Sequence, residues 1–150
     1  TDIVNATQYI LRGIHPRDKQ KPARRTANKI LKIKYRKNID IKNPELRDVS
    51  VKTTNGVTTL DIKLKNANGL YFMGTPFCAA CCGNGKENAF AARINGVWTG
   101  LSNITIDGSS IKASFPGNQV ITGVRYAYYN YPQCVLYRNG LPAVPFVKTF

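Results

Sequence analysis

Three dipeptides constrain this chain more than any other feature. In "VSVKTTNGVTTLDIKLK", "AFAARINGVWTG" and "NITIDGSSIKASF", the pairs Asn55-Gly56, Asn95-Gly96 and Asp107-Gly108 interrupt runs in which apolar and polar residues alternate. Alternation with period two turns one face of a strand toward a core and the other toward water. Asn-Gly and Asp-Gly meet the demand of a tight hairpin for positive φ, because Gly has no Cβ and Asn and Asp tolerate the left-handed region. "GLYFMG" is a short apolar run between glycines, and "VITGVRYAYYN" reads as a further strand. Short strands separated by Gly and Asn turns predict an antiparallel β-sandwich or jelly roll.

The first third of the chain has another texture. In "RDKQKPARRTANKILKIKYRKNI", Ala23, Ala27, Ile30, Leu31 and Tyr35 recur at helical spacing, and Pro22 suits a first turn. Arg24, Arg25, Lys29, Lys32 and Arg36 fall on the other side, so the basic run is expected to form the wet face of one amphipathic helix. The texture changes over residues 41–48, which divides the chain into residues 1–47, a loop and helix, and residues 48–150, a β-domain. The predicted class is therefore α+β, mainly β. In "YPQCVLYRNGLPAVPF", Pro132, Pro142 and Pro145 argue against a long central strand, so an ordered coil laid over the body is expected. Tyr137, Leu141 and Phe146 are packing if buried and an interaction surface if exposed.

At 150 residues and 43% hydrophobic content, the chain can build one domain with a proper core. No window approaches ~18 consecutive apolar residues, so no membrane span is expected. The opening "TDIVNATQYI" lacks the basic and apolar regions of a signal peptide, and without an initiator Met the chain reads as a processed or partial product. Residues 1–65 carry 16 Lys and Arg against 6 Asp and Glu, and the whole chain has a net charge of +14. Such a balance suits a polyanion. No basic-aromatic module accompanies it, so a solvated face is favoured and a nucleic-acid partner is not expected.

Cys78, Cys81, Cys82 and Cys134 are the four cysteines. A zinc site using all four would need adjacent Cys81 and Cys82 on one ion, awkward in a strand whose neighbouring side chains diverge. Disulfides are favoured, in an oxidising compartment. Sequons at Asn5-Ala6-Thr7 and Asn103-Ile104-Thr105 agree with that compartment and mark Asn5 and Asn103 as glycosylation candidates. The expected pairing joins Cys134 to one of Cys78, Cys81 and Cys82, with a vicinal Cys81–Cys82 bridge the least favoured of the three connectivities.

His15 is the only histidine, ahead of Pro16 in "GIHPRDKQ". Composition alone would make it a surface residue before a helix. The block "GIHPRDKQ", followed by "RRTA", "NANGLYFMGTPF", "ITGVRYAY" and "CVLYRNGLPAVPF", resembles the C-terminal part of sialate O-acetylesterases, which belong to the SGNH or GDSL-like hydrolases. The resemblance runs over residues 15–146, and its most specific pieces are residues 14–20 and 134–146. It implies hydrolysis of acetyl esters on sialic acid or related sugars, with a serine nucleophile and a histidine general base. His15 matches the family histidine, and the helix after it would be the remnant of an α/β SGNH domain. No cofactor or metal is implied. The implied compartment is secretory or lysosomal.

The chemistry explains the histidine. A neutral imidazole in hydrogen-bond reach takes the serine proton as the acetyl carbonyl is attacked, then protonates the leaving sugar oxygen. Pro16 keeps His15 out of the helical region, at a loop. The sequence departs from the family pattern in three ways. None of Ser50, Ser102, Ser109, Ser110 or Ser114 has a nucleophile setting, Arg12 stands where many relatives place the aspartate that orients the imidazole, and the oxyanion-hole blocks are not in this chain. Alone, the chain is expected to lack esterase activity, and an N-terminal esterase chain would be its partner. The alternative is a non-catalytic β-module that binds glycan or protein, for which Trp98, Tyr126, Tyr128, Tyr129 and Tyr131 are candidate stacking residues. The first reading expects an exposed apolar side on the helix. The second expects that helix to pack fully on the β-domain.

Overall fold

The computed structural model describes residues 19–73, 88–128 and 135–150. Among these residues, one helix, α1 (Gln20–Ile33), precedes eleven strands. These are β1 (Glu45–Thr54), β2 (Val57–Lys65), β3 (Tyr71–Phe72), β4 (Phe90–Ile94), β5 (Val97–Gly100), β6 (Ile104–Asp107), β7 (Ser110–Pro116), β8 (Ile121–Tyr126), β9 (Leu136–Arg138), β10 (Leu141–Pro142) and β11 (Phe146–Thr149). The described residues are thus mainly β with one helix, and every strand pairing among them is antiparallel.

The strands form three sheets. Two have four strands, in the orders β1-β2-β7-β6 and β11-β8-β4-β5, and a smaller one runs β10-β9-β3. Both central residues of the β1–β2 turn have positive φ, 52° at Asn55 and 72° at Gly56, as do those of the β4–β5 turn at Asn95 and Gly96. Such turns match the twist of the strands they join. Between β6 and β7, Asp107 pairs with Ser110, so the loop is Gly108-Ser109 with positive φ on Gly108 alone. This turn sits one residue later than the Asp-Gly pair suggests.

Register follows the apolar pattern. Leu46, Val49 and Val51 on β1 all pack against the core, although the first spacing is three residues. The β1–β2 register shifts between Leu46 and Asp48, so a bulge absorbs the extra residue and keeps the apolar side chains on one face. One hydrophobic cluster collects Leu60, Ile62 and Ile111 from the first large sheet and Phe90, Ala92, Val124 and Tyr126 from the second.

The C-terminal segment differs from the expected coil. It carries β9, β10 and β11, because Asn139-Gly140 makes a further two-residue turn with φ of 49° and 73°. The prolines are accommodated at short strands, Pro142 at the end of β10 and Pro145 just before β11, an edge strand. Tyr137 and Leu141 are buried and Phe146 packs against the core, so these three are packing residues.

The basic face of α1 also departs from the reading above. Arg25, Asn28 and Lys32 are half-buried, whereas Ala23, Ala27, Ile30, Leu31 and Ile33 are exposed. No residue of α1 is buried. Arg25 donates from Nη2 to Gly140 O at 3.1 Å and lies over the Tyr137 ring, so part of the basic face meets the β-body and the apolar face meets solvent.

Candidate functional site

A cleft of about 490 Å³ opens where α1 meets the β9–β10 turn. Lys21, Arg24, Arg25 and Asn28 line it from the helix, Asn139, Gly140 and Leu141 from the turn, and Met73 from the end of β3. The turn presents its backbone here because both Asn139 and Gly140 adopt positive φ, which leaves Gly140 O free to accept from Arg25. Three cations and two amides make the cleft suited to anionic or polyhydroxylated groups. Its described lining contains no serine, cysteine or carboxylate, so these residues can bind and orient but supply no nucleophile.

The segment joining α1 to β1 is clamped to the body at Arg138 on β9. Arg138 donates to Lys42 O and Asn68 O, each at 3.2 Å, and pairs with the Asp40 carboxylate. Asn43 Nδ2 donates to Pro142 O at 2.8 Å, and Val144 N donates to Pro44 O at 2.9 Å. The helix is therefore held in place by polar ties from its linker rather than by buried side chains of its own. Lys32, Asn38, Asp40 and Arg138 border a second, polar depression of about 400 Å³ at this clamp.

The Arg138 guanidinium hydrogen bond holds the Asp40 carboxyl below its usual pKa, with help from the Lys42 backbone N–H. A depressed folded-state pKa adds stability at pH above the ordinary carboxylate value, and that stability is lost as pH falls through the depressed value. Wild type should therefore melt higher than Asp40→Asn near neutrality, and the two melting curves should converge in acid below about pH 4. A difference that stays constant across this range would show that ionised Asp40 is not what the clamp uses.

The residues singled out from the sequence fall in different places. His15, Asn5, Cys78, Cys81, Cys82 and Cys134 lie outside the described residues. Among the described residues, no three His, Cys, Asp or Glu side chains gather as a metal site, and no helix is long and apolar enough to cross a membrane. Ser50 lies on β1, Ser102 between β5 and β6, Ser109 and Ser110 at the β6–β7 turn and Ser114 on β7. Asn103 and Thr105 are both exposed, so that sequon is on the surface. Tyr126 is a core residue, packed on Phe90 with centroids 4.5 Å apart, and is no stacking platform. Trp98 and Tyr128 instead flank Arg125, whose Cζ is 4.6 Å and 5.7 Å from their ring centroids.

The Arg25–Gly140 and Arg138 ties were not foreseen. A local signal exists for the first: "YRNGL" carries the same Asn-Gly dipeptide as the β1–β2 and β4–β5 hairpins. Nothing in the sequence pointed to Arg138 as an anchor for a linker nearly a hundred residues upstream.

No protein-family model matches the chain, and no curated protein matches it at a significant level. Among solved structures, the chain is similar to a carbohydrate acetylesterase from Xanthomonas citri, with 21% sequence identity and a TM-score of 0.62. The likeness covers 90% of this chain and 29% of that protein. At this identity the likeness is one of fold.

Proposed function

We propose that this chain is the C-terminal portion of a carbohydrate acetylesterase of the sialate O-acetylesterase type, in the SGNH superfamily. In this reading the two four-stranded sheets make a β-sandwich, and α1 is the last helix of an α/β esterase domain. The observation that carries the reading is α1 itself. Ile30 is 50% and Ile33 74% exposed on a helix with no buried residue, which suits a helix whose apolar side packs on another part of a longer assembly. The fold likeness to a carbohydrate acetylesterase more than three times the matched length supports the same reading.

In the completed enzyme, His15 is the general base. A serine from the N-terminal part attacks the acetyl carbonyl and His15 takes its proton. The imidazolium then protonates the departing sugar oxygen, leaving an acetyl-enzyme that water hydrolyses by the same base. Donors from the N-terminal part stabilise the tetrahedral oxyanion. The cationic cleft at the start of α1 is the part of this chain suited to hold the sugar. Secretion or lysosomal delivery, Cys134 bridged to one of Cys78, Cys81 and Cys82, and glycans on Asn5 and Asn103 belong to the same proposal.

The test is hydrolysis of a chromogenic acetate and of an O-acetylated sialic acid. The chain is assayed alone and together with an N-terminal esterase part, with assembly verified by size-exclusion chromatography. Activity is expected only in the assembled mixture and is expected to fall at least ~10³-fold in His15→Ala, the order seen for loss of a catalytic base. A verified assembly that is inactive, or activity indifferent to His15→Ala, overturns the reading.

A further inference from the structure

An asparagine is chemically least durable before a glycine, because glycine has no Cβ to keep the asparagine side chain away from the backbone nitrogen that follows it. This chain has five such pairs, beginning at Asn55, Asn68, Asn84, Asn95 and Asn139. Asn84 lies outside the described residues. The other four asparagines are all exposed, so access to water does not distinguish them.

Hydrogen bonding does. Asn95 is held at both ends of its side-chain amide, as Nδ2 donates to Gln119 Oε1 at 3.0 Å and Oδ1 accepts from Val120 N at 3.2 Å. At Asn139 the hold is on the following nitrogen, since Gly140 N donates to the Tyr71 hydroxyl at 3.3 Å. At Asn68 it is on the peptide group shared with Gly69, whose oxygen accepts from Arg138 Nε at 3.2 Å. Asn55 differs from all three. Among the described residues, no hydrogen bond reaches its side-chain amide or the peptide group that joins it to Gly56. The turn is tied down only one peptide later, where Gly56 O accepts from Gly117 N at 2.6 Å.

We infer that Asn55 is a self-modification site, the one of these four asparagines that the fold leaves open to deamidation. The Gly56 nitrogen, its proton taken by hydroxide, attacks Asn55 Cγ. The new N–Cγ bond closes a succinimide ring, the Cγ–Nδ2 bond breaks, and the amide nitrogen leaves as ammonia. Water then opens the ring at either carbonyl, leaving aspartate or isoaspartate at position 55. Water and base are the only co-reactants. Attack requires the side chain to rotate toward the nitrogen and the peptide group to turn to meet it. A hydrogen bond on either group must break first, which raises the barrier at the three held sites. The product gives a hairpin tip a negative charge, and the isoaspartate form adds a backbone carbon to a two-residue turn whose length sets the β1–β2 register. None of this depends on the acetylesterase reading.

The full chain is aged in mildly alkaline buffer at body temperature, once folded and once in concentrated urea, and each Asn-Gly peptide is followed by mass spectrometry. In the folded protein, Asn55 should convert about tenfold faster or more than Asn95, which must break two hydrogen bonds. It should convert several-fold faster than Asn68 and Asn139, which must each break one. In urea the four rates should draw together, because the dipeptide is the same and the hydrogen bonds are gone. Tyr71→Phe keeps the ring that stacks on Tyr137 and removes only the hydroxyl that holds Gly140 N. It should speed conversion of Asn139 several-fold and leave Asn55 unchanged. Conversion of Asn55 no faster than at the other three sites of the folded chain overturns the inference. So does a rate order that persists in urea, or a folded Tyr71→Phe chain whose Asn139 converts as slowly as before.

Discussion

Tyr126→Phe is expected to lower the unfolding free energy of this chain by roughly 2–4 kcal/mol, as two buried N–H donors lose their acceptor at ~1–3 kcal/mol each. Tyr126 is 0% exposed, and its hydroxyl oxygen accepts from Val135 N and Leu136 N, each at 3.0 Å. These are the residues that lead into β9, so the hydroxyl docks the start of the small sheet onto β8. The phenylalanine keeps the ring contacts with Phe90 and Phe146, at centroid distances of 4.5 and 5.7 Å. Only the polar role is removed. Tyr126→Ala removes the ring as well, adding a loss of about 3–5 kcal/mol for a buried aromatic. Against a total stability of roughly 5–15 kcal/mol, the alanine variant approaches the limit of folding. Urea denaturation followed by far-UV circular dichroism measures both. A phenylalanine variant within ~0.5 kcal/mol of wild type would mean that water satisfies the two donors as well as Tyr126 does.

Thr58→Val should cost about 2–4 kcal/mol for the same physical reason, two polar groups left without a partner. Apart from the tyrosines, Thr58 is the one buried polar side chain among the described residues. Its Oγ1 donates to Gly117 O at 2.8 Å, accepts from Gln119 N at 2.9 Å, and contacts Thr53 Oγ1 at 3.0 Å. Residues 117–120 carry the chain from β7 in the first large sheet to β8 in the second. One hydroxyl on β2 therefore fixes the crossing between sheets. Valine has nearly the shape of threonine, so packing is retained while all three hydrogen bonds disappear. Thr58→Ser keeps the hydroxyl and should recover most of the loss. Equal destabilisation by valine and serine would instead assign the residue's role to its methyl group.

The local order of the chain was legible because it is written in short-range chemistry. Alternating runs around Asn55-Gly56 and Asn95-Gly96 became hairpins at those residues, since positive φ and strand alternation are properties of a few neighbouring side chains. The helix was legible for the same reason, although its periodic stripe runs from Ala23 to Tyr35 and the helix itself from Gln20 to Ile33. The C-terminal strands were missed because three prolines argued locally against a strand, while the pairing of β9 with β3 joins residues more than sixty positions apart. The burial of Tyr126 depended on its register against Phe90 and Phe146. The basic cleft depended on a contact between Arg25 and a turn 115 residues later.

By itself, then, the sequence determined where the β1–β2 and β4–β5 hairpins turn, which segments alternate, and that one helix has an apolar and a basic face. Only the tertiary structure decided which face of that helix meets the β-body. Periodicity makes a helix two-sided, but the side that packs depends on what stands opposite. Here the opposing groups are the Gly140 carbonyl and the Tyr137 ring, which receive Arg25 and leave Ile30 and Ile33 turned toward solvent.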